Sequence, residues 1–364
     1  MTTRAISPPN GGRHFARYLT YLSVPMIWFV HAALSQSSND PFAFFRPSIT
    51  ISNSEHAQLD DGNSIARVLP TKGFEVAVLA ATPVRVDGDR LLAWERRIEE
   101  LKQNSHVLAI GRFSDPPRIE DLAGLELDSA DVSATRSCRP RDCEIKLSSG
   151  EMEQLQSAEA QAQGNRNAAI QQVFRQIVLN RVQQYVANGH IPPNEDHRQQ
   201  VQPASHFALL LDRMPFLRAR LPQLVAYLRA YPLNANPGVE SFFYWSKEHF
   251  ARKAVISVTQ VSMVRNDGSG LPEILIVGRN IFSTHYIDAS LSVTALMRGD
   301  ANDTNYLVYI NRTEVDVLHG AFGGMIRHAI EDHLKKSTET LTELRQRLES
   351  GNPASELTRT SPSR

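Results

Sequence analysis

Residues 255–311 carry four strand-like stretches in close succession, and that spacing constrains the fold more than any other feature. The stretch 255–264 is rich in β-branched residues, and Asn266-Asp267-Gly268-Ser269-Gly270 follows it as a loop. Residues 273–282 form the next strand candidate, with Gly278 expected at a bulge. Leu291, Val293 and Ala295 then alternate with Ser290, Ser292 and Thr294, the mark of a half-buried strand. After a turn at 299–305, YLVYIN at 306–311 closes the series. Parallel pairing needs a crossover of a dozen or more residues, so strands this close imply an antiparallel meander.

A helix is expected at 322–349, where Phe322, Ile326, Ile330, Leu334, Leu341, Leu344 and Leu348 fall on one stripe. Gly323 and Gly324 near its start permit close backbone approach. Residues 351–364 are rich in Ser, Thr and Pro and read as disordered. Upstream, Ser54 is placed to cap a short helix, and 65–69 and 75–86 read as strands joined by a turn at Lys72-Gly73. Pro83 marks that end of the second strand as an edge or bulge. A helix starts at Asp87-Gly88-Asp89, and its apolar stripe, Leu91, Trp94, Ile98 and Leu101, runs on to residue 101. A short apolar run at 107–110 precedes a loop-rich segment, 115–147.

Between these two strand-bearing regions lies a helical block, 148–231. Ser148 with Glu151 forms a capping-box pattern, Ile170 to Tyr185 keeps helical spacing, and Asn188-Gly189 ends that helix. Residues 191–203 read as a loop, with short helices expected at 207–211 and 222–231.

Residues 1–17 hold Arg4, Arg13 and Arg17 and no acid, and an apolar run of 17 residues follows at 18–34 (YLTYLSVPMIWFVHAAL). A basic start, a short apolar run and small residues after it read as a secretory signal over residues 1–35. Ala33-Leu34-Ser35 and Val30-His31-Ala32 are the candidate cleavage sites. An uncleaved anchor and a buried core helix are the alternatives, though Pro25 and His31 interrupt the run. The whole chain has 364 residues, with 39 basic and 39 acidic side chains. Removing the three arginines leaves 36 basic against 39 acidic groups, which argues against bulk attraction to nucleic acid or an anionic membrane. The expected location is the periplasm or cell envelope, with no membrane span after signal removal. In such an oxidising compartment Cys138 and Cys143, in C-R-P-R-D-C, are expected to form a local disulfide.

Few residue groups point to chemistry. His285, Asp288 and Ser290 cluster before a strand, and a hydrolase would use Ser290 as nucleophile, His285 as base and Asp288 as orienter. The sequence lacks a G-x-S-x-G elbow, so hydrogen bonding at a strand end is the simpler reading. His328 and Asp332 share a helix face but fit no zinc motif, so no metal is expected. The aromatic-rich run Phe242-Phe243-Tyr244-Trp245-Ser246-Lys247-Glu248-His249-Phe250 reads first as core packing and second as a cavity wall or mouth. A Walker loop, a G-x-G-x-x-G fingerprint and a calcium loop are all absent, and no cofactor is expected.

The order strand, helix, antiparallel strands, long final helix resembles the START-like helix-grip superfamily. The stretches that carry this are VAVLAATPVRVDGDRLLAWERRIEEL and FGGMIRHAIEDHLKKSTETLTELRQRLE. The resemblance covers residues 64–112 and 250–349. It implies an α+β fold whose curved antiparallel sheet grips the last helix around an apolar cavity, with 148–231 as a helical insertion. The remaining segments, 36–147 and 232–349, would then form the α+β domain. GVESFFYWSKEHFARKAVISVTQ and THYIDASLSVTAL also look like a group of uncharacterised exported bacterial proteins. The expected function is non-enzymatic binding of an apolar or amphipathic, lipid-like molecule. Val258, Phe282, Leu291, Val293, Tyr309 and Phe322 would line the space, and Tyr286, Asp288 and Asn311 would orient the ligand. An envelope hydrolase and a scaffold docking a protein partner through 148–231 are the competing expectations.

Overall fold

Ten strand segments and ten α-helices are formed by the described residues of this computed structural model, which are 40–195, 200–234, 236–250, 253–299, 304–319 and 338–350, with Gly324 and Arg327. The expected signal segment, Phe322, His328, Asp332 and the chain beyond Ser350 lie outside them. In chain order the elements begin α1 (Asn53–Asp60), β1 (Ile65–Val68), β2 (Glu75–Val84), α2 (Gly88–Glu95), α3 (Ile98–Leu101) and β3 (Val107–Arg112). The helical block follows as α4 (Ser129–Thr135), α5 (Ser149–Gln161), α6 (Arg166–Asn188), a two-residue ladder of β4 (Asn194–Glu195) and β5 (Gln200–Val201), then α7 (Pro203–Asp212), α8 (Pro215–Arg220) and α9 (Pro222–Ala230). The chain continues through β6 (Val239–Phe250), β7 (Lys253–Arg265), β8 (Ile274–Ser283), β9 (Ile287–Met297), β10 (Asn305–Val315) and α10 (Thr338–Ser350).

The fold is α+β. Eight strands form a sheet in the order β1-β2-β10-β9-β8-β7-β6-β3, and each neighbouring pair is antiparallel. β10 lies along the whole of β2, from Asn305 opposite Val84 to Glu314 opposite Glu75, so the two distant strand regions join in one layer. β1 pairs only as far as Ala81, which leaves Pro83 facing no partner on that side, as a residue without an N–H requires.

Cross-strand partners share a face, so the register sorts every side chain. The front face carries Leu79, Ile310, Leu291, Val293, Val277, Val258 and Trp245. Helices α7–α9 and the segment 42–59 pack on one half of it, and α4–α6 with the Cys138–Cys143 segment pack on the other. The back face carries Val84, Leu307, Leu296, Ile276, Val261 and Phe242, and these meet Leu91, Trp94, Ile98 and Leu348 from α2, α3 and α10.

Several local expectations are corrected. The apolar stripe of 91–101 is split into α2 and α3, because Arg97 leaves helical geometry (φ −107°, ψ 47°). The sheet irregularity falls between Val258 and Thr259, opposite the extra residue Ile281, not at Gly278. The aromatic run at 242–245, read as packing, is the middle of β6. Ser52, not Ser54, caps α1. The Ser148 capping box and the left-handed Gly189 (φ 73°) after α6 are where the sequence places them. Cys138 and Cys143 stand bonded at 2.03 Å.

At one end of the front face Glu75 receives Arg213 and Arg312, each at 2.5 Å, and Glu314 receives Arg213 at 3.2 Å and His206. The hydrogen bond to Glu314 raises the His206 pKa above 6.5, against the pull of burial. Burial pushes Glu314 up, but His206 and Arg213 outweigh it and its pKa is lowered. The His206 contribution to stability is therefore full below its unfolded value of 6.5 and fades as pH rises through the raised folded value. The Glu314 contribution is full above 4.5 and fades as pH falls through the lowered one. The difference in melting temperature between wild type and His206→Ala should be largest near pH 5.5 and shrink by half or more at pH 9. A constant difference would contradict the pairing.

Candidate functional site

The two faces of the sheet are finished differently. On the front face Leu291, Val293, Val277 and Ile310 have no measurable exposure. On the back face the described residues of α2, α3 and α10 pack at one end of the strands. Beyond Leu296 the same side of β9 continues through Thr294, Ser292 and Ser290, all half-buried. The register aligns them with Tyr309, Asn311 and Thr313 on β10, Asn280 on β8, and Thr259 and Ser257 on β7, also half-buried. Hydroxyls and amides thus form a band across four central strands, on the face opposite a solid apolar core.

Local hydrogen bonds order this band. Ser290 Oγ and Thr313 Oγ1 lie 2.8 Å apart, Asn311 Nδ2 donates to Ser290 Oγ at 3.2 Å, and Thr313 Oγ1 donates to Asn311 Oδ1 at 2.7 Å. Ser257 and Ser283 hydroxyls meet at 2.8 Å, and Asn280 donates to Ser283 at 3.0 Å.

Charged groups stand where the band meets the covered end. Lys102, just after α3, donates to Glu248 Oε1 at 2.8 Å and to the Tyr244 hydroxyl at 3.2 Å. Ser246 Oγ donates to the same Glu248 oxygen at 2.6 Å. Burial pulls the Lys102 ammonium down, yet Glu248 and Tyr244 outweigh it and its pKa is raised. Burial likewise pushes Glu248 up, and Lys102 reverses the sign. Both groups therefore stay ionised, and both keep about a third of their side-chain surface accessible (30% and 35%).

Tyr309 belongs to this group. Burial pushes its phenol up to about 12, and it feels the charges of Lys102 and Glu248 and the Tyr244 phenol. Three strands separate β10 from β6, roughly 19 Å in a flat sheet. Glu95 lies four residues after Leu91 and three after Leu92 on α2 and is half-buried. Burial raises its carboxyl to about 7, Lys102 opposing, and it accepts no hydrogen bond among the described residues.

The residues singled out from sequence fall into separate places. Tyr309 and Asn311 sit in the back-face band. Phe282, Leu291, Val293 and Val258 pack in the front-face cores, with the Arg181 guanidinium 4.6 Å from the Phe282 ring. Tyr286 occupies the turn between β8 and β9 with a left-handed backbone (φ 59°) and packs near Val76, Val315 and Leu318. His285, Asp288 and Ser290 take different partners. His285 bonds the Glu144 carbonyl at 2.8 Å and Asp131 at 3.0 Å, Asp288 pairs with Lys146 at 2.6 Å, and Ser290 bonds Thr313. A register shift near Val315 turns Asp288 toward Lys146, so it does not continue the face of Ser290 as a regular strand would. The three side chains are not joined as nucleophile, base and orienter. Sequence reading missed Glu95 and Lys102 as site residues and offered Tyr244 only within an aromatic run read second as a cavity wall; an acid four residues after Leu91 on α2 was the one signal available for the former.

Among the described residues no group of three or more His, Cys, Asp or Glu side chains is placed to hold a metal. No helix among them is long and apolar enough to cross a membrane. A surface cleft of about 510 Å³ beside α1, lined in part by His56, Asp60, Arg85 and Arg345, shares no residue with the band.

No protein-family model and no curated protein matches the chain. Among solved structures, the crystal structure of TTHA0849 from Thermus thermophilus is similar at 14% identity, covering 40% of this chain and 88% of that one, with a TM-score of 0.23. A likeness that slight bears on neither fold nor function.

Proposed function

We propose that this chain is an exported, non-enzymatic binding protein that holds an amphipathic small molecule against the back face of the sheet, in the manner of a helix-grip fold. One observation carries the reading: a band of half-buried hydroxyl and amide groups lies beside half-buried ionisable ones, on a face that the described apolar side chains of α2, α3 and α10 meet at one end. A few oriented polar groups beside apolar walls are what a ligand site needs. The strand order supports the reading, because β2 and β3 stand at opposite sides of β6–β10 with α2 and α3 crossing between them. The Cys138–Cys143 pair supports an oxidising compartment.

Ser292 sits in the middle of the band and packs closely on the facing Gly278, where an added Cβ would lie 2.4 Å from Ser292 Oγ. Ser292→Trp should put a large ring in place of the hydroxyl and obstruct the band. Native mass spectrometry of the purified full chain should show a bound lipid-sized mass, removable by solvent extraction. Rebinding of n-decanol should weaken at least tenfold in Ser292→Trp, with a melting temperature within a few degrees of wild type. A chain that carries no such mass and binds no decanol would end the proposal.

A further inference from the structure

The cleft beside α1 lies where the sheet edge steps back. β1 pairs with β2 only as far as Ala81, so Pro83, Val84 and Arg85 have no strand on their outer side and line the cleft instead. On the inner side Tyr306 of β10 stands opposite Pro83. Arg85 lies two residues beyond Pro83, roughly 7 Å along an extended chain and on the same side of it. Leu59 and Asp60 at the end of α1 form one wall. Arg345 comes from α10, whose Leu348 packs on the back face, and donates to the Gly62 carbonyl at 2.8 Å, which closes the open edge.

Opposite charges line this cleft without pairing. Asp60 Oδ1 accepts from the Tyr306 hydroxyl at 2.9 Å, which fixes the carboxylate, and no cation pairs with it among the described residues. The Arg85 N–H donates to Glu349 Oε1 at 2.9 Å, but its exposed guanidinium has no bonded partner among the described residues. Arg345 gives its Nε to the same Glu349 oxygen at 3.2 Å, which leaves its Nη2 over. His56 is taken up by the Phe42 ring at 5.0 Å and by Asp40 at 3.8 Å. An anion entering here meets Asp60, and a cation meets two guanidinium groups. A molecule carrying both charges satisfies each. A volume of about 510 Å³ suits a small molecule, and Leu59 and Pro83 add apolar surface.

We propose that this cleft binds a small zwitterion of the amino-acid type with an apolar side chain. Arg85 and Arg345 take its carboxylate, a pairing that suits the guanidinium fork, and Asp60 takes its ammonium group. The site shares no residue with the back-face band, so either can fail without the other.

The test is calorimetry of the full chain at pH 6.5 with L-leucine, L-leucinamide, which keeps only the ammonium charge, and N-acetyl-L-leucine, which keeps only the carboxylate. Because the protein charges are exposed, leucine should bind each time by about threefold or more over either derivative, and not by orders of magnitude. Arg85→Gln should bring leucine down to the level of leucinamide, and Asp60→Asn should bring it down to that of N-acetylleucine. Both side chains are exposed, so both variants should melt within a few degrees of wild type. N-acetylleucine binding as tightly as leucine would make this an anion site and overturn the assignment. Asp300 and Asp303, which precede Thr304 at the cleft, lie outside the described residues. If such further carboxylates dominated, leucinamide would match leucine, which also overturns it. No binding of leucine at millimolar concentration overturns the site itself. The comparison of the three probes on wild type decides the matter whatever the variants do.

Discussion

Glu151→Ala is expected to destabilise the protein by about 3–5 kcal/mol, because it strands a buried charge. Arg181 of α6 is 3% exposed, and its guanidinium meets the two Glu151 oxygens at 2.6 and 2.5 Å in a bidentate pair. Asn194 takes a further Arg181 N–H at 3.0 Å, and Phe282 lies beneath the guanidinium at 4.6 Å. Burial pushes the Glu151 carboxyl up, but Arg181 outweighs it and its pKa is lowered, so the pair is ionised at neutral pH. Glu151 also closes the capping box of α5 by accepting from the Ser148 N–H at 2.7 Å, so the substitution frays that helix too. At roughly 2–4 °C per kcal/mol, the melting temperature should fall by about 6–20 °C. The double variant Glu151→Ala/Arg181→Met should recover part of that loss, since it removes the stranded cation while keeping an apolar stem over Phe282. A loss under about 1 kcal/mol in the single variant, or no recovery in the double, would show that water reaches the guanidinium.

The sequence made strand positions visible where one face is apolar and the other polar, and obscured them elsewhere. β9 alternates cleanly because Leu291 and Val293 meet helices while Ser290 and Ser292 face the band. β6 does not alternate, because Phe243 and Trp245 enter the front core and Phe242 and Tyr244 the back one. A strand buried on both sides loses its period-two signal. Alternation also cannot say which set meets which layer. That is why Leu291, Val293 and Phe282 read equally well as cavity wall and as core. The pair Lys102–Glu248 joins residues 146 apart, and only the placement of β3 beside β6 brings them together. Glu95 was more legible, since an acid four residues after Leu91 breaks the polar-out pattern of α2. The expectation that one helix ran to Leu101 concealed it, because that stripe was drawn through Trp94 and Ile98.

Arg279→Ala is expected to cost about 3–4 kcal/mol, and Arg279→Met less than half of that. Arg279 on β8 is 5% exposed and sits where the two front-face cores meet. Its Nη1 donates to the Tyr185 hydroxyl at 2.8 Å and to the Leu228 carbonyl at 3.2 Å, which ties α6 and α9 to the sheet. The guanidinium lies 3.9 Å from the Phe207 ring of α7 and 5.2 Å from the Tyr185 ring. No carboxylate pairs with it among the described residues, and burial lowers its pKa. Two effects of similar size therefore oppose each other. A desolvated cation–π contact contributes about 2 kcal/mol and the charged hydrogen bonds about 1.5–3 each. Taking the unpaired cation out of water costs several kcal/mol. Methionine gives up both sides of that balance and keeps most of the stem, so the near-cancellation leaves a small loss. Alanine gives up the stem as well and opens a cavity between Phe207 and Tyr185. Lysine keeps the charge but loses the planar stacking, which places it between the two. Thermal or urea unfolding should rank the variants Met, Lys, Ala in falling stability. If Met were as damaging as Ala, the rings and hydrogen bonds would outweigh desolvation, and the guanidinium itself would be what holds α6, α7 and α9 to the sheet.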